Sequence, residues 1–245
     1  MKTAVAQKLL ALNRAFYAAL ATPFAESRAQ PQPGYARLLA ALPRPCPSLL
    51  DVGCGEGRFG RYLHSHGAID RYVGVDFTGA LLDRARDRVP GLFYERDISQ
   101  PGCLDDLGQF TAVACLSTLQ HIPGLANRRR LLCAMADRLE NGRDGRLLLA
   151  NWQFMDSPRQ RRKLRDWSAI GLTAADVEPQ DYLLSWQRGG SGLRYVCQID
   201  AEETAVLAAA AGLRIVAQFR SDGREGDLNL YTILAPARPA VTLGV

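Results

Sequence analysis

Short apolar runs alternate with amphipathic segments between Ser48 and Asn151 of this 245-residue chain. The apolar runs have the length of β-strands, and the segments between them place apolar residues at helical spacing. Such alternation is typical of βαβ units and predicts a parallel sheet with helices on its faces. The predicted strands cover residues 48–52, 71–76, 92–97, 110–116 and 146–151, and the predicted helices cover residues 58–65, 80–89 and 128–139.

Two further apolar runs, at 214–220 and 228–234, are joined by a polar turn and predict an antiparallel pair at the sheet edge. They complete a doubly wound, Rossmann-like, mostly parallel seven-stranded sheet with an antiparallel last strand. The stretch 152–199 interrupts this rhythm with a basic helix at 158–170 and a hairpin at 182–198, and is a candidate lid insertion. We therefore expect one α/β domain, residues 1–245, made of a helical N-terminal cap (1–45), a ligand-binding core (46–151), the insertion, a C-terminal helix and β-hairpin (200–235) and a loose tail (236–245).

The composition limits the kind of protein this can be. Hydrophobic residues make up 47% of the chain, enough for one substantial core. No stretch approaches the ~20 uninterrupted apolar residues of a membrane span, and the first residues lack a signal-peptide core, so we expect a cytoplasmic protein with no membrane partner. The six cysteines form no CxxC pair, which argues against disulfides and a bound metal. The net charge of +5 favours an anionic partner only weakly.

A glycine-rich loop, DVGCGEG at residues 51–57, follows the first predicted strand. Residues without a side chain let the backbone turn sharply and approach a ligand, and the following helix offers free N–H groups. The loop, through Asp51, Gly53, Gly55 and Gly57, is therefore the candidate binding site for a nucleotide-like ligand. The spacing of Gly55, Gly57 and Gly60 also fits the dinucleotide fingerprint GxGxxG, which alone is weak evidence.

Two acidic residues bear on the choice between an adenosyl cofactor and a dinucleotide. Asp76 ends the second predicted strand, where a carboxylate can accept hydrogen bonds from ribose hydroxyls. Asp97 ends the third, where a second carboxylate suits the adenine amino group, and Phe77 is placed to lie against the ring. An alternative is that each aspartate only caps the segment that follows it. The pair favours S-adenosyl-L-methionine over a nicotinamide cofactor.

Together these residues resemble the class I S-adenosylmethionine-dependent methyltransferases, of the methyltransferase type 11-like group. The resemblance rests on the glycine loop, Val75-Asp76, Arg96-Asp97 and the segment LSTLQHI at residues 116–122. It covers about residues 48–151. It implies cofactor contacts by Gly53, Gly55, Asp76 and Asp97, with backbone or apolar contacts from Ile98 and Leu116.

A narrower resemblance extends over almost the whole chain. The motifs NRAFY at 13–17, FAESR at 24–28, Arg194-Tyr195 and NLY at 229–231 are similar to those of the tRNA wobble-uridine carboxymethyl methyltransferases. In that family the methyl acceptor is a carboxylate on a modified uridine, and eukaryotic members work with a small zinc-containing activator subunit. The resemblance therefore implies tRNA as the acceptor and a small activator subunit as a further partner.

The nature of the acceptor decides which residues would be catalytic. A carboxylate has no proton to lose and needs a cation to hold it by bidentate hydrogen bonds, for which Arg28 and Arg194 are candidates. An amine or hydroxyl acceptor needs a base, and His121 is the best-placed residue that titrates near neutrality. A structural role for His121 is the simpler explanation. Tyr17, in a segment that can fold over the cofactor, is the candidate to cover its methionine end.

Two basic clusters, at residues 128–130 and 159–165, suit phosphate binding, although a solvated helix face also explains the second. Four functions therefore remain open. In order of preference they are a tRNA methyltransferase, a small-molecule methyltransferase of secondary metabolism, an NAD-dependent oxidoreductase and a non-catalytic module that binds the cofactor without turnover.

Overall fold

The computed structural model describes residues 1–26, 30–140 and 145–237, with no side chains described at 24–26. Arg28 and nearly all of the predicted tail therefore lie outside the described residues. The α-helices are α1 (Thr3–Glu26), α2 (Tyr35–Ala41), α3 (Arg58–Ser65), α4 (Gly79–Arg86), α5 (Leu125–Ala136), α6 (Pro158–Arg161) and α7 (Ala201–Ala210). The strands are β1 (Ser48–Val52), β2 (Arg71–Asp76), β3 (Leu92–Glu95), β4 (Ala112–Leu116), β5 (Arg146–Trp152), β6 (Leu164–Arg165), β7 (Asp181–Trp186), β8 (Gly192–Cys197), β9 (Leu213–Ser221) and β10 (Asn229–Pro236).

Seven strands form one sheet in the order β3-β2-β1-β4-β5-β10-β9. The first five are mutually parallel, and β10 runs antiparallel to both β5 and β9. The predicted doubly wound α/β sheet with an antiparallel last strand is confirmed. The strand order reverses between β1 and β4, and ligands of such sheets bind outside the carboxyl ends of the strands at this point.

Helices cover both faces of the sheet, so the central strands are buried on each side. All five residues of β1 are buried, and its consecutive residues Leu49 and Leu50 pack into separate apolar clusters on the two faces of the sheet. The cluster around Leu50 includes residues of α5 and α7, whereas the cluster around Leu49 includes residues of α2 and α3. Burial on two faces explains why this strand shows no clean alternation of apolar and polar residues. No helix in the described part of the chain is long and apolar enough to cross a membrane.

The predicted helix at 158–170 is wrong for most of its length. Pro158 begins a helix, as proline favours the first helical position, but α6 ends at Arg161. Basic side chains at helical spacing repel each other, and Leu164–Arg165 instead pairs with Leu183 and Leu184 of β7. A short 3₁₀ turn follows at Trp167–Ile170. The basic residues of this segment therefore do not share one helix face.

The insertion carries its own three-stranded sheet, in the order β6-β7-β8. The predicted hairpin is confirmed, since β7 and β8 pair antiparallel from Asp181 opposite Cys197 to Trp186 opposite Gly192. Helix α1 packs against β8. The N-terminal helix and the insertion therefore lie together, and the site described below is next to both.

Candidate active site

A cavity opens at the carboxyl ends of β1, β2 and β4, beside the point where the strand order reverses. Gly57, Asp97 and Arg194 do not line this cavity, and Arg28 cannot be placed because it lies outside the described residues. The other predicted site residues all line it, namely Tyr17, Asp51, Gly53, Gly55, Asp76, Phe77, Ile98, Leu116 and His121.

The glycine loop after β1 needs residues without a side chain for two reasons. Gly53 has a positive φ of 79°, and a Cβ atom there would lie 2.2 Å from the Thr118 side chain. At Gly55 a Cβ atom would meet nothing within 4 Å, so the loop is open towards the cavity. Gly57 has another role, because it precedes α3 with a φ of 74° and a Cβ there would lie 2.8 Å from Val89. A glycine is therefore required at position 57 by the turn before α3 and by the packing against Val89.

Asp76 lies at the end of β2, as predicted, and both of its carboxylate oxygens accept hydrogen bonds. The donors are the backbone N–H groups of Gly55 and Thr78, each at 2.9 Å. Burial raises the pKa of Asp76, and these hydrogen bonds to the ionised form oppose the rise. Asp76 therefore acts as a cap and also lines the cavity. A carboxylate in this position can also accept a hydrogen bond from a ribose hydroxyl.

Asp51 is a second buried carboxylate of the cavity. It is 3% exposed and accepts a hydrogen bond from the Tyr72 hydroxyl at 2.6 Å. Burial raises the pKa of Asp51 to about 7; the bond from Tyr72 opposes this rise and the nearby Asp76 adds to it. Two adjacent carboxylates favour a ligand with positive charge and hydroxyl groups. S-adenosyl-L-methionine fits this set, with Asp51 to hold its ammonium group and Asp76 its ribose.

Asp97 does not end the third strand, where the sequence pattern predicted it. Strand β3 ends at Glu95, because the Asp97 carboxylate turns back to accept hydrogen bonds from the backbone N–H and hydroxyl of Ser99. Asp97 also forms an ion pair with Arg14 of α1, beside the cavity. Burial raises the pKa of Asp97, but the hydrogen bonds from Ser99, Arg14 and Gln100 outweigh it and the net pKa is lowered. Asp97 lines a neighbouring surface depression together with Phe77.

Tyr17 and His121 form a hydrogen-bonded pair in the wall of the cavity. The Tyr17 hydroxyl lies 3.0 Å from Nε2 of His121, and Nδ1 of His121 lies 3.1 Å from the carbonyl oxygen of Tyr195. A carbonyl only accepts, so Nδ1 carries the proton. In the neutral imidazole, Nε2 then accepts the hydrogen bond that the Tyr17 hydroxyl donates.

Helix α1 is fastened to β8 by one asparagine. The Asn13 side chain accepts from the backbone N–H of Tyr195 at 2.8 Å and donates to its carbonyl at 3.1 Å. Asn13 is 3% exposed, so both bonds are shielded from water. They hold α1 across the cavity with Tyr17 facing His121, as the prediction of a covering segment required.

Arg194 lies next to this pair on β8. It is 3% exposed and is hydrogen-bonded to Tyr17. Its guanidinium carbon lies 4.5 Å from the ring centroid of Trp152, 5.3 Å from that of Phe16 and 5.4 Å from that of Trp186. The predicted acceptor-binding arginine is therefore at the edge of the cavity, connected to it through Tyr17.

The two basic clusters differ in their exposure to solvent. Arg128 is 1% exposed and forms ion pairs with Glu178 at 3.0 Å and Glu203 at 2.6 Å, so it is not available to bind phosphate. Anionic partners inside the chain compensate its position at a helix start. In the second cluster, Arg159, Arg161, Arg162 and Arg165 are exposed.

Sequence reasoning missed several residues of the cavity. Leu10, Asn13 and Arg14 line it with Tyr17, and their spacing places all four on one helix face. Helical spacing from Tyr17 could therefore have identified the other three in the sequence. Thr118 was also missed; its hydroxyl donates to the carbonyl of Gly53 at 3.2 Å, a contact that only the fold creates.

Comparison with known sequences identifies one part of the chain. Residues 50–148 match a protein-family model described as a methyltransferase domain. A stretch of 102 residues is 36% identical to the 18S rRNA (guanine-N(7))-methyltransferase of Mus musculus. This similarity covers 39% of the chain and 35% of the mouse protein, so the chain spans about a third of that relative's length.

Solved structures share the fold over most of the chain. An S-adenosylmethionine-dependent methyltransferase from Methanosarcina mazei has a TM-score of 0.63 at 16% identity, covering 82% of this chain and 97% of that one. The sugar N-methyltransferase KedS8 from Streptoalloteichus has a TM-score of 0.59 at 19% identity, covering 88% and 92%. The S-adenosylmethionine-bound amino pentose methyltransferase CalS10 from Micromonospora echinaspora has a TM-score of 0.57 at 22% identity, covering 83% and 88%. These likenesses establish the fold.

The sheet order and the cavity define the class, which is that of the Rossmann-like class I methyltransferase fold. Residues 50–148, which carry most of the cavity, are the part of the chain that is similar to the methyltransferase-domain model. Together they support an S-adenosylmethionine-dependent methyltransferase with S-adenosyl-L-methionine as its cofactor. The position of Gly60 does not decide between this cofactor and a dinucleotide. It lies inside α3, where a Cβ would be only 2.5 Å from the Tyr72 ring, and such close helix–strand packing is also what the third glycine of the dinucleotide fingerprint provides.

Proposed function

We propose that this chain transfers the methyl group of S-adenosylmethionine to a carboxylate oxygen, with the carboxymethyl group of a tRNA wobble uridine as the acceptor. One observation carries the choice of acceptor. Two motifs of the tRNA methyltransferase resemblance, residues 13–17 and Arg194-Tyr195, are far apart in sequence but contact each other beside the cavity, through Asn13 and Tyr195. Their meeting beside the cavity supports the choice of this acceptor.

The chemistry asks little of the protein beyond positioning. When bound, the cofactor supplies an electrophilic methyl group on a sulfonium. A carboxylate oxygen is already a nucleophile, so no side chain needs to remove a proton. Holding donor and acceptor in line supplies up to ~7–11 kcal/mol in the best-oriented systems. Tyr17, held by His121 and Arg194, stands at the wall where the acceptor would approach.

The direct test is methyl transfer from labelled S-adenosylmethionine to bulk tRNA whose methyl esters have first been saponified. We expect the label in a uridine derivative, in a form that alkali releases, and much less transfer to tRNA that was not saponified. The Asp76→Ala variant, which removes a cavity carboxylate, should show no transfer. An absence of label in wild-type reactions, or label that alkali does not release, would contradict the proposal.

A small molecule is the second candidate acceptor, favoured by the Tyr17–His121 pair. Nε2 of a neutral His121 can take a proton through the Tyr17 hydroxyl, as an amine or hydroxyl acceptor requires. Salt separates the two candidates, because tRNA binding through phosphates weakens steeply as salt is raised whereas binding of an uncharged acceptor does not. A KM for the methyl acceptor that is the same in 50 and in 200 mM salt would favour the small molecule.

A further inference from the structure

We propose that Arg194 and Lys163 form an anion-binding subsite that holds the carboxylate of the methyl acceptor. This inference deepens the proposed function and rests on it for the identity of the acceptor. It arises from a buried cation that the chain itself does not neutralise.

Arg194 is buried with its charge uncompensated. Nε and Nη1 have no hydrogen-bond partner, and Arg194 forms no ion pair within the described residues. Arg128 provides an internal comparison, because it is equally buried but is bound by two carboxylates and a backbone carbonyl. A buried charge without a partner is costly, so the vacant donors of Arg194 indicate a ligand that accepts them.

The aromatic residues around Arg194 stabilise the cation without using its donors. Trp152, Phe16 and Trp186 approach the guanidinium within cation–π range. Ring faces offer no lone pairs, so N–H groups remain for a carboxylate, which the planar guanidinium fork matches bidentately. Rings of this kind also suit a planar group attached to the carboxylate. The surroundings favour an acid on a flat scaffold.

Lys163, directly before β6, is a second cation near Arg194. The hydroxyl and backbone N–H of Ser185 donate to the carbonyl of Lys163 at 3.1 and 2.9 Å, which fixes this residue against β7. Leu184 pairs with Leu164 on one side and with Arg194 on the other, so Lys163, the residue before Leu164, is separated from Arg194 by the single strand β7. Burial lowers the pKa of Lys163, and the positive charges of Arg194 and Arg159 lower it further.

These cations have no acidic neighbour to offset them. Lys163 and Arg159, like Arg194, form no ion pair in the part of the chain that the structure describes. Mutual repulsion of like charges would be relieved by an anion bound among them. Arg194 is hydrogen-bonded to Tyr17 of the cavity wall, so an acid held by Arg194 would lie beside the cofactor cavity.

The test titrates benzoate, and its neutral isostere benzamide, into the purified chain saturated with S-adenosylhomocysteine, with NMR detection of ligand binding. We expect benzoate to bind at least about tenfold more tightly than benzamide, since one good charged hydrogen-bond pair suffices for that ratio. Arg194→Met should abolish the preference and Lys163→Gln should reduce it. Arg162→Gln, an exposed neighbour, is the matched control and should leave it unchanged.

Thermal unfolding separates a binding role from a structural one. No carboxylate pairs with Arg194, so Arg194→Met should lower the unfolding midpoint far less than Arg128→Met, which breaks two ion pairs, whereas an arginine with a mainly structural role would lower it as much. Arg194→Lys should keep a weaker preference for benzoate. Equal binding of both probes, no binding of either, or an unchanged preference in Arg194→Met would overturn the subsite. Since no tRNA is used, failure of tRNA methylation would not affect this result.

Discussion

At the scale of single residues, Asp51 controls the charge of the cofactor cavity. It is buried against Tyr72, and burial raises its pKa to about 7. Near neutral pH the carboxyl group is therefore partly protonated in the ligand-free protein. A cationic cofactor favours the ionised form, so binding must release the proton at low pH.

Cofactor affinity should therefore depend on pH. With a pKa of about 7, Asp51 is mostly neutral at pH 6 and mostly ionised at pH 8. We expect S-adenosylmethionine to bind about tenfold more tightly at pH 8 than at pH 6, as proton linkage for one such group predicts. Calorimetric titration across this range measures it. The Asp51→Asn variant should bind more weakly with no such slope, and equal slopes in the two proteins would refute the role of Asp51.

Ionisation of Asp51 should strengthen cofactor binding as pH rises, but it should lower the stability of the cofactor-free chain. The folded pKa of Asp51 is about 7 and lies above the ordinary value of 3.8, so the stabilising contribution is present below pH 4 and is lost as pH rises through 7. Asp51→Asn should therefore raise the free energy of unfolding of the cofactor-free chain at pH 8 by ~1–3 kcal/mol, and by much less at pH 5. Urea unfolding at both pH values tests this, and a gain that is equal at both would count against it.

At the scale of elements, α1 converts a sheet edge into an enclosed site. Residues Leu10, Asn13, Arg14 and Tyr17 share the helix face that covers the cavity. Their polar contacts reach β8, the loop after β3 and the turn after β4. The position of Tyr17 therefore depends on how firmly α1 is attached to β8.

Asn13→Ala should loosen that attachment. It leaves the buried backbone N–H of Tyr195 without an acceptor and removes one of the two donors to the Tyr195 carbonyl, which keeps Nδ1 of His121, at a cost of ~1–3 kcal/mol. We expect lower stability in urea and, at temperatures where the variant is folded, a larger loss in kcat than in cofactor affinity, because Tyr17 shifts while Asp51 and Asp76 do not. Gln7→Ala, on the exposed side of α1, is the control and should match wild type. Unchanged kcat in a destabilised Asn13→Ala would show that α1 does not position the acceptor.

How far the sequence could be interpreted also differs between elements. The strands around the glycine loop were predictable because periodicity and glycine positions are local properties, and β1 and β2 have the predicted bounds. The segment 158–170 was not, because pairing of Leu164–Arg165 with β7 depends on a strand some twenty residues later. The strand end predicted at Asp97 was wrong for a local reason, since Asp97 caps the following turn by bonding to Ser99, the alternative that the sequence had left open, whereas the pairing of 164–165 is long-range. Propensity cannot weigh such tertiary contacts.

At the scale of the whole molecule, Arg128 joins three parts of the chain that sequence alone keeps separate. It lies in α5, whereas Glu178 belongs to the insertion and Glu203 to α7. Glu178 also accepts hydrogen bonds from the backbone N–H of Leu125 at the start of α5. A cluster of three arginines in sequence resembles an RNA-binding patch, and only the fold reveals that its first member is internal.

Arg128→Met should therefore destabilise the whole chain, and far more than Arg194→Met. It leaves two partly buried carboxylates without their cation, at a cost of ~3–5 kcal/mol. Burial raises the pKa of Glu203 even beside Arg128, so in the variant its carboxylate should protonate more readily and the loss should shrink as pH falls from 8 to 5. Urea unfolding of Arg128→Met and of the exposed neighbour Arg129→Met, at both pH values, measures this. Equal stability of the two variants would mean that this ion triad does not hold the insertion to the sheet domain. The contact between α1 and β8 of the insertion would then have to hold it.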